Sequence, residues 1–522
     1  MNNGDVHAIS VLLTAVKAVK KLKIEQFFKN SSANIISIVS NTIISLLLTP
    51  YLIRVVGPAA YALIPLSMVL MEYVNFINNS INAAISRFIS IHLHKNENEN
   101  VLVVLNSSLF TIGILASIQL IVVALVLPNL ERLLNVPYEY IEDAKVLFIL
   151  ISISFVVSAL TSALGSILYA KNKLNIIQAA NISRMYVRAL VIILLFSINE
   201  PNIKYVGYAS LLASGISFLM TVFYCKRLLP YLKLSIRYIN IKKIKPLFSM
   251  SGWVLVNQIG FLLFTKIDLL FVTKFISLKE AGIFSALLQL TLLVRTIAGM
   301  LGNMSGPIIV KQYALKNKEN IIKIVIFYMK YIGFLLSFIV SFFIVRSDEI
   351  LYLWLGTEYT EYSYLFPYLF FPLLVTLPAI PIMASNTAFN KVKVPAIFTL
   401  FSGVLLFPCY FIISILSTFT IEKMLLVGAG LLIMKNCILL PVYSIKHLNI
   451  NYNKYTLCYA HILTIFMITT LMSITLKYYI KLDSIINILS VIFIYIILAA
   501  FMFYISFYRT MDKNIFHNLI KG

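Results

Sequence analysis

The sequence predicts an all-α integral membrane protein with about fourteen transmembrane helices, arranged as two pseudo-symmetric six-helix lobes plus two C-terminal helices. Three observations predict it. Only 12% of the 522 residues are charged while 60% are hydrophobic, and the mean hydropathy is +0.92. A water-soluble domain carries about 25% charged residues, so this chain cannot cover itself against water and its solvent is lipid. The apolar residues fall into runs of roughly twenty, the length at which a helix crosses a hydrocarbon core. The Lys and Arg residues, finally, gather in alternate loops.

The spans run 33–53, 62–84, 104–126, 146–169, 174–196 and 206–224. After a longer polar connection they continue as 253–275, 284–308, 324–345, 364–388, 396–416, 424–444, 457–476 and 485–506, the twelfth being the weakest. Charge tests the count, because cytoplasmic loops collect Lys and Arg. With the N-terminus inside and every span in place, 27 of the 43 basic residues but only 6 of the 20 acids fall in cytoplasmic segments. Removing one early span would invert every later loop and destroy that asymmetry, so both termini are expected in the cytoplasm. The net charge of +23 is thereby explained by topology, and nucleic acid is not expected as a partner.

The expected organisation is a basic amphipathic cytoplasmic segment (1–32), a first lobe (33–227), a cytoplasmic linker (228–250), a second lobe (251–447), and two further helices with a cytoplasmic tail (448–522). No cleavable signal peptide is apparent. In the N-terminal segment Val11, Leu12, Ala15, Val16 and Val19 share one helical face, and Lys17, Lys20, Lys21 and Lys23 accompany them. That pattern suits a helix lying on an anionic leaflet; a partly ordered basic tail is the alternative. Cys225, Cys409, Cys437 and Cys458 show no C-x-x-C spacing and read as small buried hydrophobes.

Two lobes are expected because segments 220 residues apart resemble each other without gaps. Tyr51-Leu-Ile-Arg54-Val-Val-Gly-Pro-Ala-Ala-Tyr-Ala62-Leu63 matches Phe271-Val-Thr-Lys274-Phe-Ile-Ser-Leu-Lys-Glu-Ala-Gly282-Ile283. Six spans separate the two, so the repeats share one orientation, and parallel repeats form lobes with a substrate path between them.

A charge within a bilayer is costly and marks a candidate functional site. Eight stand deep in the spans: Arg184, Arg188, Lys266, Arg295, Lys330, Lys435, Glu72 and Asp268. Six are cationic, which suits an anionic cargo, since Arg forks grip phosphate and Lys adds a point charge. Arg184, Arg188, Lys266, Arg295 and Lys435 are therefore the candidate substrate-binding set, with Arg295 the strongest because it lies near mid-span. A salt bridge between helices is the alternative for Arg295, and snorkelling is the reading for Lys330. Arg184 and Arg188 share a helix face with Asn181 one turn earlier. Asp268 and Glu72 are candidates for coupling to an ion, with pairing to a neighbouring cation as the alternative for Asp268. Glu72, Asn75, Asn79 and Asn82 recur at helical spacing on one face, and such a stripe lines a hydrated cavity or a helix contact.

Nothing points to an enzyme. There is no D-x-D, H-E-x-x-H or P-loop, and His92 and His94 beside Lys95 read as a solvated loop. No metal or cofactor is expected. The external loops are short, the longest near 128–143 and 346–363, whereas a membrane glycan polymerase or ligase carries a sizeable external loop.

At this point a family resemblance enters. Leu47-Leu-Thr-Pro-Tyr-Leu-Ile-Arg-Val-Val-Gly57-Pro-Ala-Ala-Tyr61 resembles the junction of the first two helices in polysaccharide (O-antigen) flippases of the multidrug/oligosaccharidyl-lipid/polysaccharide exporter superfamily. Asn82-Ala-Ala-Ile-Ser-Arg87-Phe resembles the end of their second helix. Lys266-Ile-Asp268 leading to Glu280-Ala-Gly282-Ile-Phe resembles their helix 7–8 junction, while Ala62 departs from the usual Gly. The resemblance implies an inner-membrane flippase that carries undecaprenyl-pyrophosphate-linked glycan units, O-antigen units most commonly, to the periplasmic leaflet by alternating access. Membrane lipids, a polysaccharide polymerase and a chain-length regulator are the further partners it implies. A multidrug or cation exporter of the same superfamily and a membrane glycan polymerase or ligase are the alternatives.

Overall fold

The computed structural model describes residues 3–240, 252–448, 452–483 and 485–504, and among them there is no strand. The helices used below are α1 (Asn3–Val56), α2 (Pro58–His94), α3 (Asn98–Val126), α4 (Tyr138–Ala170), α5 (Leu174–Ile198), α6 (Lys204–Leu228), α7 (Gly252–Phe275) and α8 (Leu278–Ala314). They continue as α9 (Lys318–Val345), α10 (365–388), α11 (Lys393–Leu416), α12 (421–448), α13 (Tyr452–Tyr479) and α14 (Ile485–Phe503). Among the described residues twelve helices are long and apolar enough to cross a membrane. The other two expected spans coincide with the shorter apolar stretches Pro58–Tyr73 in α2 and Ser490–Phe503 in α14.

The helices are inside out by the standards of a soluble protein. Along α6 the large apolar residues Leu212, Leu219 and Phe223 are exposed, while Ala209, Ser210, Ala213, Ser217 and Thr221 are buried. Small and hydroxylic side chains let backbones approach, and the bulky apolar ones face outward because lipid accepts them. Buried hydroxyls of this helix bond its own backbone, as where Ser210 donates to the carbonyl of Val206 at 2.7 Å and Thr221 to that of Ser217 at 2.9 Å.

Proline decides where helices deform. Pro378 and Pro381 lack N–H donors, and α10 is accordingly two α-segments, Leu365–Thr376 and Ile380–Ala388, joined by a 3₁₀ turn at Leu377–Ala379. In α12 a π turn, Met434–Leu439, precedes Pro441, which cannot donate back to Cys437. At the N-terminus, by contrast, nothing breaks the chain between residues 32 and 33, and α1 runs unbroken for 54 residues. The side chains of residues 11–23, on which the amphipathic reading rests, lie outside those described.

Four loops close in the same way, each with a left-handed residue just past a helix end: Asn96 after α2, Asn172 after α4, Lys316 after α8 and Asn390 after α10. In each the next amide bonds back to the helix, from Glu97 to His92, Lys173 to Leu168, Asn317 to Gln312 and Lys391 to Asn386. Asn96 and Lys316 are 220 positions apart, the offset of the sequence repeat.

The chain divides into two compact units, Met1–Ser285 and Ala286–Gly522, so the boundary falls inside α8. In the first unit a core of Ile81, Ile85, Leu105, Leu164, Ile167 and their neighbours joins α2, α3, α4 and α6. Asn106 extends it by donating to the Lys233 carbonyl and accepting from the Ser235 amide. The first unit also holds α7: Lys274 donates to the Arg132 carbonyl, and Asn135 donates to the Lys274 carbonyl at 2.8 Å. In the second unit α9, α13 and α14 form an aromatic core around Phe334, Phe338 and Tyr495.

Candidate functional site

The first unit contains a cavity of about 810 Å³, walled by residues of α2, α4, α5 and α6. Fourteen of its nineteen wall residues are polar, an expensive composition among lipid-facing helices. Each helix contributes a stripe at helical spacing. Asn78, Asn82 and Ser86 come from α2, and Ser158, Ser162 and Ser166 from α4. Asn181 and Arg184 come from α5, and Ser217 and Thr221 from α6. Among the described residues two guanidiniums, Arg184 and Arg87, belong to the wall and no carboxylate does.

The wall is partly cross-linked. Arg184 donates from Nη1 to the Ser158 hydroxyl at 3.0 Å, which holds its head against α4. The Asn82 amide donates to the Ser162 hydroxyl at 2.7 Å, joining α2 to α4. Other polar atoms of the same wall, Asn78 Oδ1, Asn82 Oδ1 and Ser166 Oγ, are buried and meet no hydrogen-bond partner among the described residues.

The structure thus brings together Arg184 and Asn82 of the expected residues, with Asn181. Arg188 stands one turn further along α5, half-buried near Arg184 and Tyr61 and outside the wall. Glu72 is also outside the wall, accepting from Lys266 Nζ at 3.0 Å in a pair that ties α2 to α7. Asp268 is half-buried on α7, two residues from Lys266. Asn75 and Asn79 lie on α2, but their side chains are outside those described.

Arg295 and Lys435 belong to the second unit. Lys435 is buried in the π turn of α12, and Arg295 on α8 is near enough for their charges to interact. A π turn widens the helix by one residue per bond and recurs at functional positions, so the twelfth span carries its lysine at a local irregularity. Lys330, half-buried on α9, is close to Cys458 and His461 of α13.

Sequence reasoning missed Asn78, Arg87 and the hydroxyl stripe of α4. A signal existed: Ser158, Ser162 and Ser166 recur every four residues and Asn78 is four from Asn82. Serine in a spanning helix usually bonds its own backbone, so a hydroxyl stripe alone does not announce a cavity. Arg87 lies beyond the expected end of its span at residue 84, where a charge is ordinarily solvated.

Membrane-spanning helices in two units, an internal repeat and a polar cavity walled by lipid-facing helices define an integral membrane protein with room for a polar ligand. Residues 27–312, more than half of the chain, match the family described as "Polysaccharide biosynthesis protein", and the chain belongs to that family. A curated relative, the "Uncharacterized membrane protein EpsK" of Bacillus subtilis (strain 168), is 27% identical over 427 residues, covering 80% of this chain and 83% of the relative. Among solved structures, a multidrug resistance MATE family transporter of the MOP superfamily in its inward-facing conformation superposes with a TM-score of 0.66 at 14% identity, covering 81% of this chain and 98% of that one. The lipid II flippase MurJ in an inward closed conformation gives 0.63 at 17% identity, covering 91% and 98%. At such identities these two likenesses establish the fold.

Proposed function

We propose that this protein is a flippase that carries undecaprenyl-pyrophosphate-linked polysaccharide repeat units, O-antigen units among them, from the cytoplasmic to the periplasmic leaflet of a bacterial inner membrane. One observation carries the reading: among the described residues the first unit's cavity joins amides and hydroxyls to two guanidiniums and has no carboxylate in its wall. Guanidinium groups suit a pyrophosphate. A carrier of cationic drugs needs negative charge where this wall has positive. The family match and the likeness to a lipid II flippase support the same substrate class.

On this reading the two repeats act as lobes (33–227 and 251–447) that alternate access, and the polyprenyl tail remains in lipid. Both termini are cytoplasmic, as the charge asymmetry requires. The cavity then lies toward the cytoplasmic loops at Asn96 and Asn172, where the substrate is made. Arg295, Lys435 and Arg188 are further contacts for the headgroup, and Glu72 or Asp268 a place for a coupling ion. A polysaccharide polymerase and a chain-length regulator act on the product outside.

The test is the location of lipid-linked glycan in cells lacking the protein. Accumulation of undecaprenyl-linked units on the cytoplasmic leaflet, with surface polysaccharide lost, is the expected result. Units that still reach the outer leaflet overturn the reading: left there as unpolymerised single repeats they point to a polymerase or ligase, and new drug sensitivity points to an exporter.

A further inference from the structure

We infer that the first unit's cavity is a saccharide subsite, in which the sugar ring nearest the pyrophosphate is held by Asn78, Asn82, Ser162 and Ser166. The inference rests on the flippase reading and adds what the cargo must offer. Asn78 and Ser166 are 3% exposed and Asn82 is 8% exposed, so all three are removed from bulk water. Each belongs to the cavity wall, and each keeps a polar atom that no protein group satisfies among the described residues. A buried polar atom without a partner costs free energy, and several in one wall mark a place where a ligand completes the hydrogen bonding.

The chemistry of the wall selects the ligand. The partnerless amide atoms of Asn78 and Asn82 are their oxygens, which accept hydrogen bonds. A serine hydroxyl both donates and accepts. A phosphate only accepts and so leaves both amide oxygens unmet, while an ammonium, which can donate to these oxygens, is opposed by the two guanidiniums of the same wall. Sugar hydroxyls give and take, and they match amide oxygen, amide nitrogen and serine alike. The spacing along α2 and α4 also suits a ring: Asn78 and Asn82 are one turn apart, as are Ser162 and Ser166, and the Asn82–Ser162 hydrogen bond sets the two pairs side by side. A volume near 810 Å³ is within the range of sites that enclose whole small molecules. Arg184, fastened to Ser158 on the same wall, stands where an anionic group attached to that sugar would be met.

The full-length protein in lipid nanodiscs distinguishes this inference from the flippase reading itself. The probes are undecaprenyl pyrophosphate without sugar and the same lipid bearing glucose, galactose or N-acetylglucosamine. At least one glycosylated probe is expected to bind some tenfold tighter than the bare lipid, the effect of two or three net hydrogen bonds. Asn78→Leu and Ser166→Ala should each erase several-fold of that preference, with monodisperse elution of each nanodisc preparation reporting that the variants are folded. Equal affinity of the native protein for bare and all glycosylated lipids overturns the saccharide subsite, with no variant needed. Variants that keep the full preference also overturn it. If the native protein binds none of the four probes, the flippase reading falls together with the subsite.

Discussion

At the residue scale, charges inside the helices separate into those that hold helices together and those that are placed for a ligand. Lys266 and Glu72 pair at 3.0 Å, each still about a third exposed. Glu72→Gln leaves an ammonium unpaired in a span, at a cost of about 1–2 kcal/mol after allowance for that partial exposure. A double-mutant cycle with the swap Glu72→Lys/Lys266→Glu should recover most of the loss in thermal unfolding of the purified protein; a strictly additive cycle would show that the pair contributes nothing. Arg295 is proposed for the other class. Arg295→Ala should abolish surface polysaccharide export at normal expression and membrane insertion, and Arg295→Lys should retain part of it, since an ammonium replaces the charge but not the fork. Normal surface glycan in Arg295→Ala would remove that side chain from the substrate path.

Arg346 shows what sequence reading at this scale overlooks. It stands in a stretch expected to be an external loop, where a charge is ordinarily solvated. In the structure it is fully buried, donating to Glu349 at 2.7 Å and to the Ile480 carbonyl at 2.9 Å. The stretch itself folds as a short helix, Ser347–Trp354, and a 3₁₀ turn, Thr357–Tyr364. Only the approach of the chain at residue 480, far away in sequence, turns this arginine inward.

At the scale of elements, close approach governs. Gly282, near the start of α8, meets the start of α2 so tightly that a Cβ would stand 1.9 Å from the Pro58 carbonyl oxygen. Gly57, the one residue between α1 and α2, has φ of +82°, a conformation open to glycine and strained for other residues. Because the obstacle at Gly282 is backbone, it cannot yield by a rotamer change. Gly282→Ala should therefore cost about 1–3 kcal/mol, the range for overpacking, read as a lower unfolding temperature and reduced yield in the membrane. A neutral result would mean that the two helix starts separate freely. The same repeat places Ala62 where the second copy has Gly282, so the need for glycine belongs to one copy and could not be read from the alignment of the two.

The α9–α13 contact works by the same means with hydroxyls added. Thr469 donates to the Ser337 carbonyl at 3.1 Å, Ser473 and Ser341 hydroxyls meet at 3.3 Å, and Tyr495 of α14 reaches Ser473. Helices in lipid gain little from burying apolar surface, so small side chains and hydrogen bonds carry their association. This explains how α13 and α14, appended after the repeats, join the second unit.

At the scale of the molecule, topology is the quantity most open to test. Single cysteines at Asn96, Asn172, Lys316 and Asn390 should resist a membrane-impermeant thiol reagent in intact cells, and cysteines at Tyr138 and Glu358 should react. Labelling of any of the first four would reverse the assignment of sides and with it the direction of entry into the cavity.

The sequence by itself determined the class of this protein, because membership of a membrane is a matter of composition and of run length, and both are local. The order of the apolar helices followed from the same one-dimensional signals, as did the repeat. The cavity was legible in fragments. Arg184, Asn181 and Asn82 stood out because charge and amide are costly in lipid wherever they occur in the chain. Their company on one wall with Asn78 and the serines of α4 was decided by the tertiary structure alone. So was the pairing of Glu72 with Lys266, 194 residues apart. The reason is physical: the cost of a polar group depends on its residue type, while what satisfies it depends on which distant helix packs against it.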